Sequence, residues 1–139
     1  LKKTVKSKEI KLFYRGATGI TGVNTQVRLW DDDLSLELHC NSFNGKAHGC
    51  EILALSGDKE SIKIGQDISQ DFCKRFNRKL RDGDGVKELK KNDRGHYSLA
   101  LVDDGYPSIL LEPFFIDNPS EWIDPIVYAE FLREWIEII

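Results

Sequence analysis

Apolar and polar positions alternate most clearly over residues 34–40. Leu34, Leu36, Leu38 and Cys40 take one side, and Ser35, Glu37 and His39 the other. A period of two places successive side chains on opposite faces, so this stretch is predicted as a half-buried strand. Shorter alternations over 10–15 and 27–30 predict two earlier strands. A Gly/Thr loop over 16–24 separates them, and Asp31-Asp32-Asp33 stops the second. Beyond the turn pair Asn44-Gly45, residues 50–55 read as another strand, and 61–64 as its return after Ser56-Gly57-Asp58.

The period then lengthens. Ile68, Phe72, Phe76 and Leu80 fall four apart with Cys73 beside them, one apolar stripe on a polar helix. Asp67 with Gln70 three residues on forms a capping-box pattern, and Gly83 is the predicted stop. Residues 82–95 are turn-rich, with at most a helical turn at 86–91. Strands are predicted over 97–102 and 108–115, joined by a hairpin at Asp103-Asp104-Gly105. In the last segment Asp124 caps, Pro125 opens the helix, and Tyr128, Phe131, Leu132, Trp135, Ile136 and Ile139 keep to one face. Glu130, Arg133, Glu134 and Glu137 take the other. The predicted fold is α+β: a curved antiparallel β-meander, one mid-chain helix, and a C-terminal amphipathic helix packed on the sheet. Residues 1–8 are expected to be a flexible basic arm, and residues 9–139 a single domain.

Composition adds limits. At 139 residues the chain suits one domain, and with 40% apolar and 31% charged residues it reads as a soluble globular protein that folds without staples. No run is long and apolar enough to span a membrane, and no signal-peptide pattern opens the chain. With no Met present, Leu1 is not expected to be the translational start. Cys40, Cys50 and Cys73 are odd in number, and Cys40 and Cys73 sit in apolar patterns, which points to reduced thiols and a cytoplasmic location.

Candidate chemistry is sparse. The run Gly16-Ala17-Thr18-Gly19-Ile20-Thr21-Gly22 resembles the glycine loop of short-chain dehydrogenases, which implies a pyrophosphate held at a helix N-terminus. That family's pattern continues with a helix, a strand and an acidic residue. Here 23–30 reads as a strand instead, so a flexible turn and no cofactor are expected. His39, Cys40, His48 and Cys50 are metal-competent, but alternation sets His39 opposite Cys40 and no zinc spacing is present, so no metal is expected. Neither these Cys/His pairs nor His96 with Asp103 or Asp104 has a placed third group for catalysis.

Charge layout is more informative. The net charge of −3 conceals blocks of +5 over 1–15, −5 over 16–73, +5 over 74–94 and −8 over 102–139. One candidate partner-binding patch is basic: Lys74, Arg75, Arg78, Lys79, Arg81, Lys87, Lys90, Lys91 and Arg94. The other is acidic: Asp103, Asp104, Asp117, Glu121, Glu130 and Glu134. The leading functional expectation is a non-enzymatic binding protein, an adaptor or immunity-type inhibitor steered to a protein partner by these patches. A second is single-stranded nucleic-acid binding by the basic helix, with Phe13, Tyr14 and Trp30 as stacking platforms. The element order resembles that of Whirly-type and transcriptional-coactivator-type single-strand binders. A third is a small enzyme with an unrecognised Cys/His site. The aromatic last helix also makes a homodimer an expectation.

Overall fold

The alternating segment does form a strand, β1 (Ser35–Leu38), but its partners are not those of a meander. The computed structural model describes residues 9–17, 19–30 and 33–138. The expected basic arm at 1–8, and Asp31 and Asp32 of the acidic stop, lie outside them. With β2 (Glu51–Leu55), β3 (Val86–Leu89) and β4 (Ser108–Glu112), the sheet has the order β1-β4-β2-β3. β1 runs parallel to β4, and β2 parallel to β3; only β2 and β4 are antiparallel. The fold is therefore α/β with a mixed, mostly parallel sheet, which corrects the antiparallel α+β meander. Parallel neighbours need long crossovers rather than hairpins, and the chain supplies them where short strands were predicted.

The largest crossover is α2 (Lys59–Phe76), which absorbs the predicted return strand at 61–64. Four residues of alternation cannot separate a period of two from one of 3.6. Asp58 is the actual N-cap, accepting the Ser61 amide at 3.5 Å and the Ser61 hydroxyl. Asp67, read as the cap, instead sits mid-helix and pairs with Lys63 one turn earlier. The helix stops at Asn77, which takes left-handed φ 50° and returns its N–H to Cys73, well before Gly83. Ser61, Gly65 and Ser69 form a small-residue stripe that lets the helix approach the sheet closely. A Cβ on Gly65 would stand 3.1 Å from Ile52 and Val86.

The glycine loop and the strand predicted at 27–30 are replaced by α1 (Gly19–Trp30), which buries Asn24 and Val27, three positions apart. Asn24 Nδ2 donates to the Tyr97 carbonyl at 3.0 Å, a long-range tie that local alternation does not reveal. Residues 10–15 form no strand. The predicted strand at 97–102 is part of a 3₁₀ segment, His96–Asp104, bounded by Gly95 and Gly105 at positive φ. The predicted helical turn at 86–91 gives way to β3, an assignment made by pairing with β2 rather than by local pattern. α3 (Pro125–Ile138) follows its sequence: Asp124 accepts the Ile126 amide at 2.8 Å, and Phe131 and Trp135 are buried.

The two faces of the sheet differ. Ile52, Ala54, Val86, Ile109 and Leu111 point toward α2 and α3, where Phe72 meets Phe76 and Phe131 at ring separations of 4.7 and 5.5 Å. Each such buried side chain contributes about 1.5–3 kcal/mol. On the other face, Leu53, Leu89 and Leu110 pack with Leu99 of the 3₁₀ segment. That smaller cluster ends where β2 begins and β4 finishes.

Candidate active site

Strand register assembles the polar end of this second face. Leu38 lies opposite Leu111, and the His39 amide donates to the Leu111 carbonyl at 2.9 Å, so His39 stands beside Glu112. Across the antiparallel pair, Glu112 faces Glu51. One row thus holds His39, Glu112 and Glu51 at the carboxyl ends of β1 and β4, where open α/β sheets present their reactive groups. Glu37 shares the face two residues before His39, whose Nε2 lies 2.7 Å from Glu37 Oε1. Arg15 also reaches Glu37, at 2.8 Å.

Glu51 is 3% exposed and accepts from Asn41 Nδ2 at 2.5 Å, with Arg81 Nε 3.2 Å away. Burial raises its pKa, and Arg81 pulls it partly back. Glu112 is half-buried; burial first, then the Glu51 charge, push its carboxyl above the ordinary value, against His39, Lys87 and Arg81. Burial and the neighbouring Glu51 carboxylate outweigh the nearby guanidinium and ammonium, and favour proton retention at Glu112. Cys40 follows His39 on the other face, and burial, then Glu112, raise its thiol, the opposite of an activated nucleophile.

A bulge follows the row. If the β1–β4 register continued, Asn41 would bond Pro113; its amide instead donates to the Phe114 carbonyl, and Asn41 pairs with Phe115. One extra residue on the β4 side redirects both chains, a device common beside active sites. Asn41 turns to Glu51, and Phe115 is buried beneath Arg81, 5.0 Å from ring centroid to guanidinium.

Two loops then lock together. Asp117 accepts the amides of Phe43 and Gly45 at 3.0 and 2.9 Å, which hold its carboxyl below the usual range, and Asn118 donates to Ala47 at 3.0 Å. Glu121, 4% exposed, accepts the Gly49 amide at 2.8 Å. Gly49 has φ +110°, and a Cβ there would meet the Lys79 carbonyl at 2.7 Å, so only glycine launches β2 from this point.

The sequence-derived patches do not converge on this row. Arg75 pairs with Glu134 at 2.5 Å, Arg78 with Glu121 at 3.6 Å and Lys91 with Asp103 at 3.8 Å, so members of the two patches bind one another. Asp104 holds Arg28 at 2.6 Å. Lys74, Lys79, Lys90, Arg94 and Glu130 are exposed, and Arg81 and Lys87 alone stand by the row. Phe13 is half-buried, Tyr14 is exposed, and Trp30 carries Lys11 over its ring at 5.2 Å. His48 is exposed, while Cys50 and Cys73 are buried. Glu51 and Glu112 were missed. The available signal was an acidic residue ending an all-apolar strand, Ile109-Leu110-Leu111-Glu112.

Fold and row together define an α/β protein with a part-buried acidic pair beside a histidine at the ends of its central strands. The chain belongs to the N-acetylmuramoyl-L-alanine amidase family, whose match spans residues 8–122. A search of curated protein sequences returns no match. Among solved structures, the N-acetylmuramoyl-L-alanine amidase from Neisseria meningitidis is 26% identical with TM-score 0.54, over 85% of this chain and 58% of that one. Cwp6 from Clostridium difficile is 27% identical with TM-score 0.65, over 86% of this chain and 19% of that one. The amidase from Clostridium difficile 630, 20% identical with TM-score 0.67, shares the fold over 86% of this chain and 62% of that one. The chain thus spans less than two thirds of these relatives.

Membership in a family of amidases corrects three expectations: a non-enzymatic adaptor or immunity-type inhibitor, a single-stranded nucleic-acid binder, and the absence of enzymatic activity. The argument from missing motifs failed because the acidic pair is assembled by register between distant strands.

Proposed function

We propose that this protein hydrolyses the amide joining an N-acetylmuramoyl group to L-alanine, with Glu112 moving the proton. The observation that carries the reading is Glu112 itself, a half-buried carboxyl with raised proton affinity at the mouth of β4 in a chain of this family. Amide hydrolysis requires a proton to leave the attacking water and another to reach the departing nitrogen. A carboxyl whose pKa is shifted toward neutrality can do both in turn. Arg81 holds Glu51 in place behind it, and Lys87 supplies positive charge on the same face. A metal-activated water would need three protein ligands and an open position. Among the described residues no group of three His, Cys, Asp or Glu is able to hold a metal.

The test is incubation with purified peptidoglycan. Cleavage of this amide frees alanine amino groups and leaves sugar reducing ends unchanged. New reducing ends without new amino groups, or no release at all, would overturn the reading. A protein partner is compatible with it, since the CwlD amidase from Clostridioides difficile, similar in fold, was solved with the GerS lipoprotein. Nothing in the fold or the comparisons favours nucleic acid or a homodimer. A cell-wall substrate calls for export, whereas the free thiols suit the cytoplasm; fractionation of the native cell decides between them.

A further inference from the structure

Two of the three cysteines meet in the core between sheet and helix. Cys50 immediately precedes β2 and is fully buried, and Cys73 sits in the last turn of α2 with 9% of its surface exposed. The Cys50 thiol donates a hydrogen bond to the Cys73 sulfur. Both thiols are free, and the proposed hydrolysis uses neither. A lone buried thiol packs as a small hydrophobe. Two that touch have a further chemistry open to them, since loss of two hydrogens joins the sulfurs.

The backbone holds the pair in register. The Cys50 amide donates to the Lys79 carbonyl at 2.9 Å, and the Cys50 carbonyl accepts the Arg81 amide at 3.1 Å. The Cys73 carbonyl accepts the amides of Asn77 and Arg78. One short connection, residues 77–81, thus clamps both cysteines, and the sulfurs are together before any bond forms. The two thiols are not equivalent. Contact with Cys73, then burial, push the Cys50 thiol up. The Cys50 hydrogen bond and, last, the Arg78 charge pull the Cys73 thiol down against burial and Glu121. Cys73 is therefore the readier thiolate, and it lies in the turn of the helix that opens most easily.

We propose that Cys50 and Cys73 are a dithiol pair that closes to a disulfide in an oxidising compartment, stapling the end of α2 to the start of β2. The Cys73 thiolate attacks an external disulfide, forms a mixed disulfide and expels one thiolate. Cys50 then gives up its proton, attacks the Cys73 sulfur and displaces the second thiolate. The pair loses two protons and two electrons, and the external disulfide is reduced to two thiols. The link encloses residues 50–73, so it restricts the unfolded chain and leaves the folded contacts in place. A glutathione-buffered cytoplasm keeps such a pair reduced, so the staple forms only where the surroundings oxidise thiols.

The test equilibrates wild-type protein with oxidised glutathione, alkylates the remaining thiols and digests with trypsin without reductant. The expected product joins peptides 47–59 and 64–74, and the oxidised protein has a higher urea midpoint than protein kept in dithiothreitol. Cys40→Ser retains the linked peptide and the higher midpoint, whereas Cys73→Ala loses both. In Cys50→Ala, glutathione stays attached to Cys73 because no second thiol displaces it. Alkylation of both Cys50 and Cys73 after oxidation, or a linked peptide containing Cys40 in place of either, overturns the proposal. So does a linked protein whose midpoint equals that of the reduced form. Peptidoglycan cleavage plays no part in these readouts, so the staple and the amidase reading fail separately.

Discussion

The same four strands present two unlike surfaces. Toward α2 and α3 the sheet is apolar and closed, with Ile52 and Leu111 under interlocked phenylalanines. On the reverse, four leucines make a small patch that gives out at the first rung of β2, where Glu51 and Glu112 meet. One face holds the chain together. The other keeps two acidic groups at short range, an arrangement the first face stabilises. Residues 51–54 show the division within a single strand: Ile52 and Ala54 face the helices, Glu51 and Leu53 the reverse.

The division is sharpened or broken by substitution. The largest expected effect is Glu112→Gln, which should lower amide hydrolysis by about 10²- to 10⁴-fold with the melting temperature kept or raised. Retained hydrolysis, followed as released alanine amino groups, would remove Glu112 from the chemistry. Phe72→Ala on the opposite face should cost about 3–5 kcal/mol in urea unfolding. A loss below about 1 kcal/mol would show that the aromatic cluster is not the main anchor. Arg81→Ala strips the buried Glu51 of its cationic partner while leaving Asn41, and should cost about 1–3 kcal/mol, less than a fully buried pair because the guanidinium is partly exposed. Arg81→Ala combined with Glu51→Gln should recover part of that loss. Gly49→Ala should destabilise by about 1–3 kcal/mol through its positive φ and the close Lys79 carbonyl.

The smallest effect is the pH dependence. Glu112 and Glu51 hold protons more tightly folded than unfolded, so their stabilising contribution is complete below the ordinary value of 4.5 and is lost as pH rises through the raised values. The stability of Glu112→Gln relative to wild type should therefore grow from about pH 4.5 upward, read as a shift in urea midpoint. Asp84, with its carboxyl held down first by the Val86 amide and then by Gln66, acts in the other direction, its contribution lost as pH falls. A flat difference between variant and wild type would place Glu112 in ordinary solvent.

How far the sequence could be read follows the same physics. β1 carries a clean period, β2 and β4 a short apolar run, and α3 a cap with its stripe, all local signals. β3 does not, since Val86 and Leu89 are buried only because β2 lies beside them. α1 depends on Asn24 reaching Tyr97, 73 residues away. The row of His39, Glu112 and Glu51 was hidden for the same reason. In the sequence His39 is weighed only as a metal ligand or a cysteine's partner and set aside, and Glu112 gains meaning only when β4 is inserted between β1 and β2. A meander would have kept those residues apart.

The ion pairs Arg75–Glu134, Arg78–Glu121 and Lys91–Asp103 join a basic middle block to an acidic C-terminal one. In the denatured chain those blocks already attract, because unfolded ensembles retain long-range bias and exposed charges act across about 10 Å at ordinary salt. The partners that must close the α2–α3 aromatic cluster are therefore drawn together before any side chain has packed. Added salt should slow refolding more than it weakens the finished fold, which makes the charge blocks guides to assembly.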